Sequence, residues 1–248
     1  MKLFMPDDSL RDLRNLIKAL VLVVAYWGYV RFWERRPVRE LSLSKAAPEL
    51  LAGLGLGAVL CSSVVAILAA VGAYSVQAVG GAGDFGAVVA DMLPKIAAGA
   101  LIEEVVFRLL VLRLLERSFG AVSALVVSSL AFGLAHLGNA GATPLIAVLL
   151  GIELGLLFGA AYLLTRRIWL CAALHLSWNF VQGAVFAIAV SGHTAQAWLR
   201  ASLAGPTWLT GGAFGIEGSV VAVMLCLAAT GALLKFSCAL TPRECSWP

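Results

Sequence analysis

The hydrocarbon core of a bilayer is about 30 Å thick, so a helix needs about 20 mostly apolar residues to cross it. Runs of that kind recur along this chain at roughly 16–33, 50–74, 93–112, 121–138, 143–164, 168–190 and 216–236. Of the 248 residues, 61% are hydrophobic and only 13% charged, and mean hydropathy is +0.94. A soluble globular chain is about one quarter charged, and no soluble fold of this size has enough interior to hide so much apolar surface. The sequence therefore predicts an all-α fold, a polytopic transmembrane helix bundle of seven or eight spans, forming a single integral membrane domain over residues 1–248. The count stays open at 85–117, which is long for one crossing, and Pro94 is expected to split off a short leading helix there.

The remaining composition narrows the function classes. A net charge of +4 and a pI of about 8.9 could point to nucleic acid. The basic residues, however, gather in segments 31–49, 113–117, 165–167 and the C-terminal tail, where membrane proteins place positive charge to set topology. No nucleic-acid partner is expected. Seven spans would put those segments in the cytoplasm and the N-terminus outside, whereas Lys2, Arg11, Arg14 and Lys18 pull the N-terminus the other way. The cysteines (Cys61, Cys171, Cys226, Cys238, Cys245) are odd in number and form no C-x-x-C pair, so neither a disulfide framework nor a cysteine-ligated metal is expected. Asp7, Asp8 and Asp12 and the lack of a small-residue cleavage motif argue against a removable leader. Residues 80–86, 138–144 and 204–213 read as loops. Gly151, Gly155 and Gly159 form a bare stripe at helical spacing, read as a close helix-packing surface.

Against this apolar background a few polar residues are conspicuous. Residues 101–108 read LIEEVVFR. A carboxylate in hydrocarbon costs several kcal/mol, by an amount that is disputed, and here two are adjacent. Glu104 and Arg108 are four apart on one helix face, acid first, as such ion pairs prefer. Glu103 projects about 100° away and must find partners on other helices. Residues 132–136 read FGLAH and residues 175–179 read HLSWN, putting His136 near the end of one span and His175 with Asn179 on one face of another. His193 lies in a loop and is given no role, and Glu153, alone in the glycine stripe, is read as a packing or polar-satisfaction residue. A lone intramembrane His or Asn is often interhelical hydrogen-bond glue, and Glu104 with Arg108 alone could be a structural pair. Six such residues on three helices are a costly cluster unless used.

If the three helices meet, Glu103 near His136 can hold a water and act as a general base. His175 and Asn179, facing the other side of the scissile carbonyl, can donate hydrogen bonds to the developing oxyanion. Glu104 with Arg108 would brace the Glu103 helix. Alternatively, Glu103, His136 and His175 offer the two nitrogens and one carboxylate of an open zinc site, although no H-E-x-x-H motif occurs. A serine nucleophile lacks its G-x-S-x-G, and no cysteine has an adjacent base.

These motifs, E-E-x-x-x-R at 103–108, F-x-x-x-H at 132–136 and H-x-x-x-N at 175–179, taken in order, resemble the CPBP family. This is the group of intramembrane proteases related to CAAX prenyl endopeptidases and bacteriocin self-immunity proteins. The resemblance covers roughly residues 90–190, the region of the catalytic helices. It implies a multi-pass membrane fold with a cavity between helices, Glu103 activating water, His136 positioning it, and His175 with Asn179 stabilising the oxyanion. It further implies a protein or peptide substrate, lipidated in the CAAX case, met among membrane lipids. The family has been called metalloprotease, and a metal-free glutamate scheme is also argued for it; the metal-free scheme is preferred, with no cofactor assigned and zinc as the alternative. Two other classes compete: a non-catalytic scaffold or immunity protein that binds a partner, and a proton-coupled transporter. The transporter ranks last because no paired halves suggest inverted repeats.

Overall fold

The computed structural model describes residues 6–80, 84–194 and 197–240. Lys2, Cys245 and the basic C-terminal tail lie outside them. Helices α1 (Pro6–Gly28), α2 (Ala46–Ala70), α3 (Phe85–Glu104), α4 (Arg113–Leu134), α5 (Pro144–Leu150), α6 (Leu156–Thr165), α7 (Ile168–Phe180), the short α8 (Thr207–Thr210) and α9 (Val220–Leu240) carry most of the chain. Wide π-helical stretches extend some of them without a break: Val105–Leu112 joins α3 to α4, Gly151–Gly155 joins α5 to α6, and Val181–Val185 prolongs α7. Pro94 does not split a helix. It sits inside an unbroken α3, which starts at an Asp84 side chain accepting from the Ala87 amide (2.9 Å). The break comes instead at Gly120, whose φ of +75° separates two helical halves of α4.

Among the described residues, five helices are long and apolar enough to cross a membrane: Asp12–Trp33, Ala46–Ala70, Pro144–Thr165, Ile168–Val185 and Val220–Ser237. With this composition they make the chain a multi-pass integral membrane protein of the all-α type. The two remaining expected runs, 93–112 and 121–138, do not qualify. The first carries Lys95, Glu103, Glu104 and Arg108, and the second is helical only to Leu134. A departure from pure helix is the antiparallel pair of β1 (Tyr74–Val79) and β2 (Leu199–Leu203), with Tyr74 opposite Leu203 and Val79 opposite Leu199. It occupies the end of the expected 50–74 run and the chain beyond, where β-branched residues replace helix formers.

Glycine sets how closely the helices pack. On α2, a Cβ at Gly53 would stand 2.5 Å from the Leu170 carbonyl oxygen, and one at Gly57 2.5 Å from that of Leu174. The backbones of α2 and α7 therefore touch along a four-residue repeat, as small residues permit in lipid. The Gly151, Gly155 and Gly159 stripe does the same against α4: Cβ atoms at the first two would fall 2.7 and 2.8 Å from the Ser129 carbonyl oxygen, and one at Gly159 would strike Leu125.

The basic segments collect at one end of the bundle. Glu34, just past α1, accepts from Arg36 Nε (2.7 Å), Arg113 Nη1 (2.9 Å) and both terminal nitrogens of Arg117 (3.0 Å). Burial raises its pKa, but these guanidiniums outweigh burial and hold it down at about 2. Arg166 bonds Glu116 at 2.5 Å, Arg167 bonds Glu49, and Trp169 Nε1 donates to the Ser42 carbonyl. Segments 31–49, 113–117 and 165–167 are thus one ion-paired layer.

Candidate active site

Glu103 and Glu104 end α3, and their adjacency gives them opposite surroundings. Glu104 is fully buried, whereas the Glu103 side chain is 32% exposed. Arg108 Nε stands 3.1 Å from Glu104 Oε2, and on the other side His175 Nδ1 donates to Glu104 Oε1 at 2.9 Å. Arg108, 1% exposed, also donates through Nη2 to the carbonyls of Gly155 (3.1 Å) and Leu154 (3.5 Å). Glu104 therefore does more than brace its own helix: it links α3 to α7 and fixes one nitrogen of His175.

His136 follows α4 by two residues, and its Nδ1 contacts the Phe132 carbonyl at 2.8 Å, donating to it. That bond leaves its Nε2 facing Glu103 Oε2 at 3.7 Å. His175 Nε2 faces the same oxygen at 3.9 Å. Both imidazoles border the Glu103 carboxylate. Separations of 3.7 and 3.9 Å exceed a direct hydrogen bond and match gaps that a water bridges. Glu103 Oε2 is itself buried without a hydrogen-bond partner among the described residues. Asn179 lies one turn beyond His175 on α7, and its side-chain oxygen is likewise buried without a partner.

Two aromatic rings hold this cluster in place. Phe158 stacks on His175 with centroids 4.5 Å apart and planes 19° from parallel. Phe132, the first residue of the F-x-x-x-H motif, lies 4.9 Å from the His136 ring and 6.0 Å from His175. The Arg108 guanidinium sits over both rings, 4.7 Å from Phe132 and 5.4 Å from Phe158, where cation–π attraction replaces part of its lost hydration. Phe132 and Phe158 are both essentially unexposed. Phe158 falls inside an ordinary apolar run, and no sequence pattern marks it.

Glu103, Glu104, Arg108, His136 and His175 meet in one cluster, drawn from α3 and its π-helical extension, the end of α4, and α7. His193 stays outside it, its Nδ1 against the Ser191 carbonyl. Glu153 is buried with Oε1 accepting from Cys226 Sγ at 3.9 Å and Oε2 unpartnered among the described residues. Cys61, Cys171 and Cys226 are buried and free. The donor types of Glu103, His136 and His175 suit zinc, yet among the described residues no group of three His, Cys, Asp or Glu side chains is disposed to hold a metal ion.

Residues 85–181 match the family model described as type II CAAX prenyl endopeptidase Rce1-like. No curated protein and no solved structure matches the chain. The matched segment is less than half of the chain, and it runs from the start of α3 past Asn179, so it encloses all three motifs. Over that segment the chain is similar to the type II CAAX prenyl endopeptidases of the Rce1-like kind.

Proposed function

We propose that this protein is a CAAX-type intramembrane endopeptidase that hydrolyses a peptide bond with a water activated by Glu103. The observation that carries the reading is the convergence of two imidazole nitrogens on one partly exposed carboxylate, at separations suited to a bridging water. In the neutral tautomer whose Nδ1 donates to Phe132, His136 Nε2 is an acceptor. A water can then donate one hydrogen to Glu103 and the other to His136, which points its lone pairs at the substrate carbonyl. Glu103 takes the water proton as oxygen attacks carbon, giving a tetrahedral intermediate. The same proton passes from Glu103 to the amine as the C–N bond breaks, leaving a carboxylic acid and an amine.

The oxyanion needs donors. Asn179 supplies an amide N–H. His175, its Nδ1 bonded to Glu104, supplies an Nε2–H when both ring nitrogens carry hydrogen. Arg108 Nε, 3.1 Å from Glu104 Oε2, supplies the counter-charge beside that carboxyl group. The whole described chain acts in this reading as one membrane unit. Phe85–Leu112 and residues 121–134 also traverse the bilayer, which makes seven spans. Phe85–Leu112 is less apolar because it holds Asp91, Lys95, Glu103, Glu104 and Arg108, and residues 121–134 are a short helix bounded by the Gly120 break and the end at Leu134. A lipidated substrate fits a site reached from within the bilayer.

The test is cleavage by the purified protein in liposomes, with a prenylated CAAX peptide and a small panel of unmodified peptides as substrates. Wild type and Glu103→Gln run side by side, each with and without a zinc chelator. Cleavage that survives chelation and disappears in the variant supports the reading. Cleavage lost on chelation and restored by zinc overturns the metal-free scheme, and cleavage unchanged in Glu103→Gln overturns the role of Glu103.

A further inference from the structure

The turn that carries His136 is tied to a second buried carboxylate that plays no part in the hydrolysis described above. Within the turn, the His136 amide donates to the Gly133 carbonyl (3.0 Å) and its carbonyl accepts from the Asn139 amide (3.0 Å). The Asn139 side chain leaves the turn, its Nδ2 donating to the Ser191 carbonyl at 2.9 Å. Ser191 then gives both of its donors to one side chain: its amide to Glu217 Oε2 at 2.5 Å and its hydroxyl to Glu217 Oε1 at 3.0 Å. Glu217 is fully buried. A buried carboxylate is costly unless its oxygens meet donors, and Ser191 provides two.

The surroundings hold this chain of bonds under constraint. Ser191 has φ of +45°, a left-handed conformation that a residue with a Cβ keeps only where its neighbours impose it. Beside it, Gly192 lies so close to Ala140 that a Cβ would strike the Ala140 backbone, and its amide donates to the Phe214 carbonyl at 2.7 Å. From the π-helical stretch after Asn179, Gln182 Nε2 donates to the Ala189 carbonyl at 2.6 Å. The His136 turn, the 187–193 loop and the segment before α9 are therefore one locked junction, with Glu217 at its centre.

We infer that Glu217 is a positioning residue for the hydrolysis, setting through Ser191 and Asn139 where the His136 imidazole stands relative to Glu103. The inference rests on the reading of Glu103 and His136 as the water-activating pair. Glu217 touches neither water nor substrate. Its carboxylate fixes Ser191, the Ser191 carbonyl anchors Asn139, and Asn139 sets the turn at whose head His136 sits.

The test compares Glu217→Ala, Glu217→Gln and Asn139→Ala with wild type. Glutamine can accept the Ser191 amide with Oε1 and donate through Nε2 to the Ser191 hydroxyl, so it should keep most of the activity. Alanine should lower kcat about tenfold to a hundredfold, the scale of a misplacement of about 1 Å, with KM within about twofold of wild type. Asn139→Ala should do the same, and the double variant should fall no further than the worse single one, as members of one bonded network do. Losses that add, a change in KM alone, or a glutamine variant as damaged as alanine would overturn the inference. Amide hydrogen exchange gives a readout independent of cleavage. The amides of 136–142 should exchange faster in Glu217→Ala and Asn139→Ala but not in Glu217→Gln, with those of α2 unchanged. Unaltered exchange at 136–142 would sink the inference even if no peptide is ever cleaved. Should Glu217→Ala fail to fold, Ser191→Ala and Asn139→Ala carry the same comparison.

Discussion

The two adjacent glutamates should give opposite phenotypes, and the size of the contrast follows from their surroundings. Glu104 is fully buried between Arg108 and His175, and Arg108 is only 1% exposed. In Glu104→Gln an amide replaces the carboxylate, and the guanidinium is left in the interior without its counter-charge. Removing one partner of a buried ion pair costs about 3–5 kcal/mol. In a chain of this size each kcal/mol moves Tm by about 2–4 °C, so the variant should melt about 6–20 °C below wild type. Glu103 is one third exposed, with the His136 and His175 Nε2 atoms at 3.7 and 3.9 Å from its Oε2. Glu103→Gln should therefore shift Tm by no more than about 2–4 °C, while removal of a general base lowers cleavage about 10²- to 10⁴-fold. The assay is tryptophan-detected melting of the purified proteins in one detergent at one scan rate, since unfolding of such a chain is read as a rate as much as an equilibrium. Peptide cleavage is measured on the same samples. Equal melting losses for the two variants, or a Glu104→Gln protein that melts with wild type, would refute the division of labour drawn from their burial.

Three further outcomes follow from the packing and the charges. Gly57→Leu should prevent α2 from seating on α7 and abolish a cooperative melt, because even a Cβ there meets the Leu174 carbonyl at 2.5 Å; Gly55→Ala, with open space around it, should be neutral or raise stability by up to about 1 kcal/mol. Arg108→Lys keeps the charge but loses the planar fork that reaches Glu104 and the Leu154 and Gly155 carbonyls together, so its Tm should fall clearly, and an unchanged melt would show the guanidinium geometry to be dispensable. Burial pushes Glu217 from 4.5 up to about 7, with the Ser191 and Gln182 bonds and the charge of His175 pulling it back. A carboxyl raised in the folded state contributes stability that is complete below about pH 4.5 and lost by about pH 7, roughly 3 kcal/mol in all. Melting of wild type should thus decline across that window, and Glu217→Gln should flatten the decline.

What the sequence made legible was whatever stood out against hydrocarbon. Glu103, Glu104, Arg108, His136, His175 and Asn179 are conspicuous because polar groups at bilayer depth are rare, and the i, i+4 spacing of Glu104 and Arg108 is a local property. The bond from Glu104 to His175 is not local: it joins residues 71 apart in sequence, and only the packing of α3 on α7 brings them together. Gly53 and Gly57 carried the same four-residue signal as Gly151 and Gly155 and could have been read the same way. Phe158 could not, since a ring in an apolar run has no spacing to betray it. Glu217 is a single acid after a glycine-rich loop, and nothing in sequence separates it from a solvated turn residue. Pro94 misled because a helix tolerates a proline where neighbouring helices re-satisfy the freed carbonyl.

The π-helical stretches connect the membrane setting to the site. A helix in lipid satisfies every carbonyl within its own backbone, which leaves no acceptor for a buried guanidinium. A π-turn interrupts the i→i−4 ladder and is found often at functional sites. Gly151–Gly155 is such a stretch, and it is the Leu154 and Gly155 carbonyls that Arg108 reaches. Arg108 itself lies in the stretch Val105–Leu112, immediately after the two glutamates, and Val181–Val185 begins two residues past Asn179. Each helix that bears a polar residue of the cluster by its side chain or carbonyls is thus widened beside it, apart from α4, where His136 stands in a turn beyond the helix end. The local cost of a poorer ladder is offset by acceptors that keep Arg108 buried, Arg108 pairs with Glu104, and Glu104 holds His175 beside the carboxylate of Glu103. Removing Arg108 or Glu104 leaves the other buried without its counter-charge.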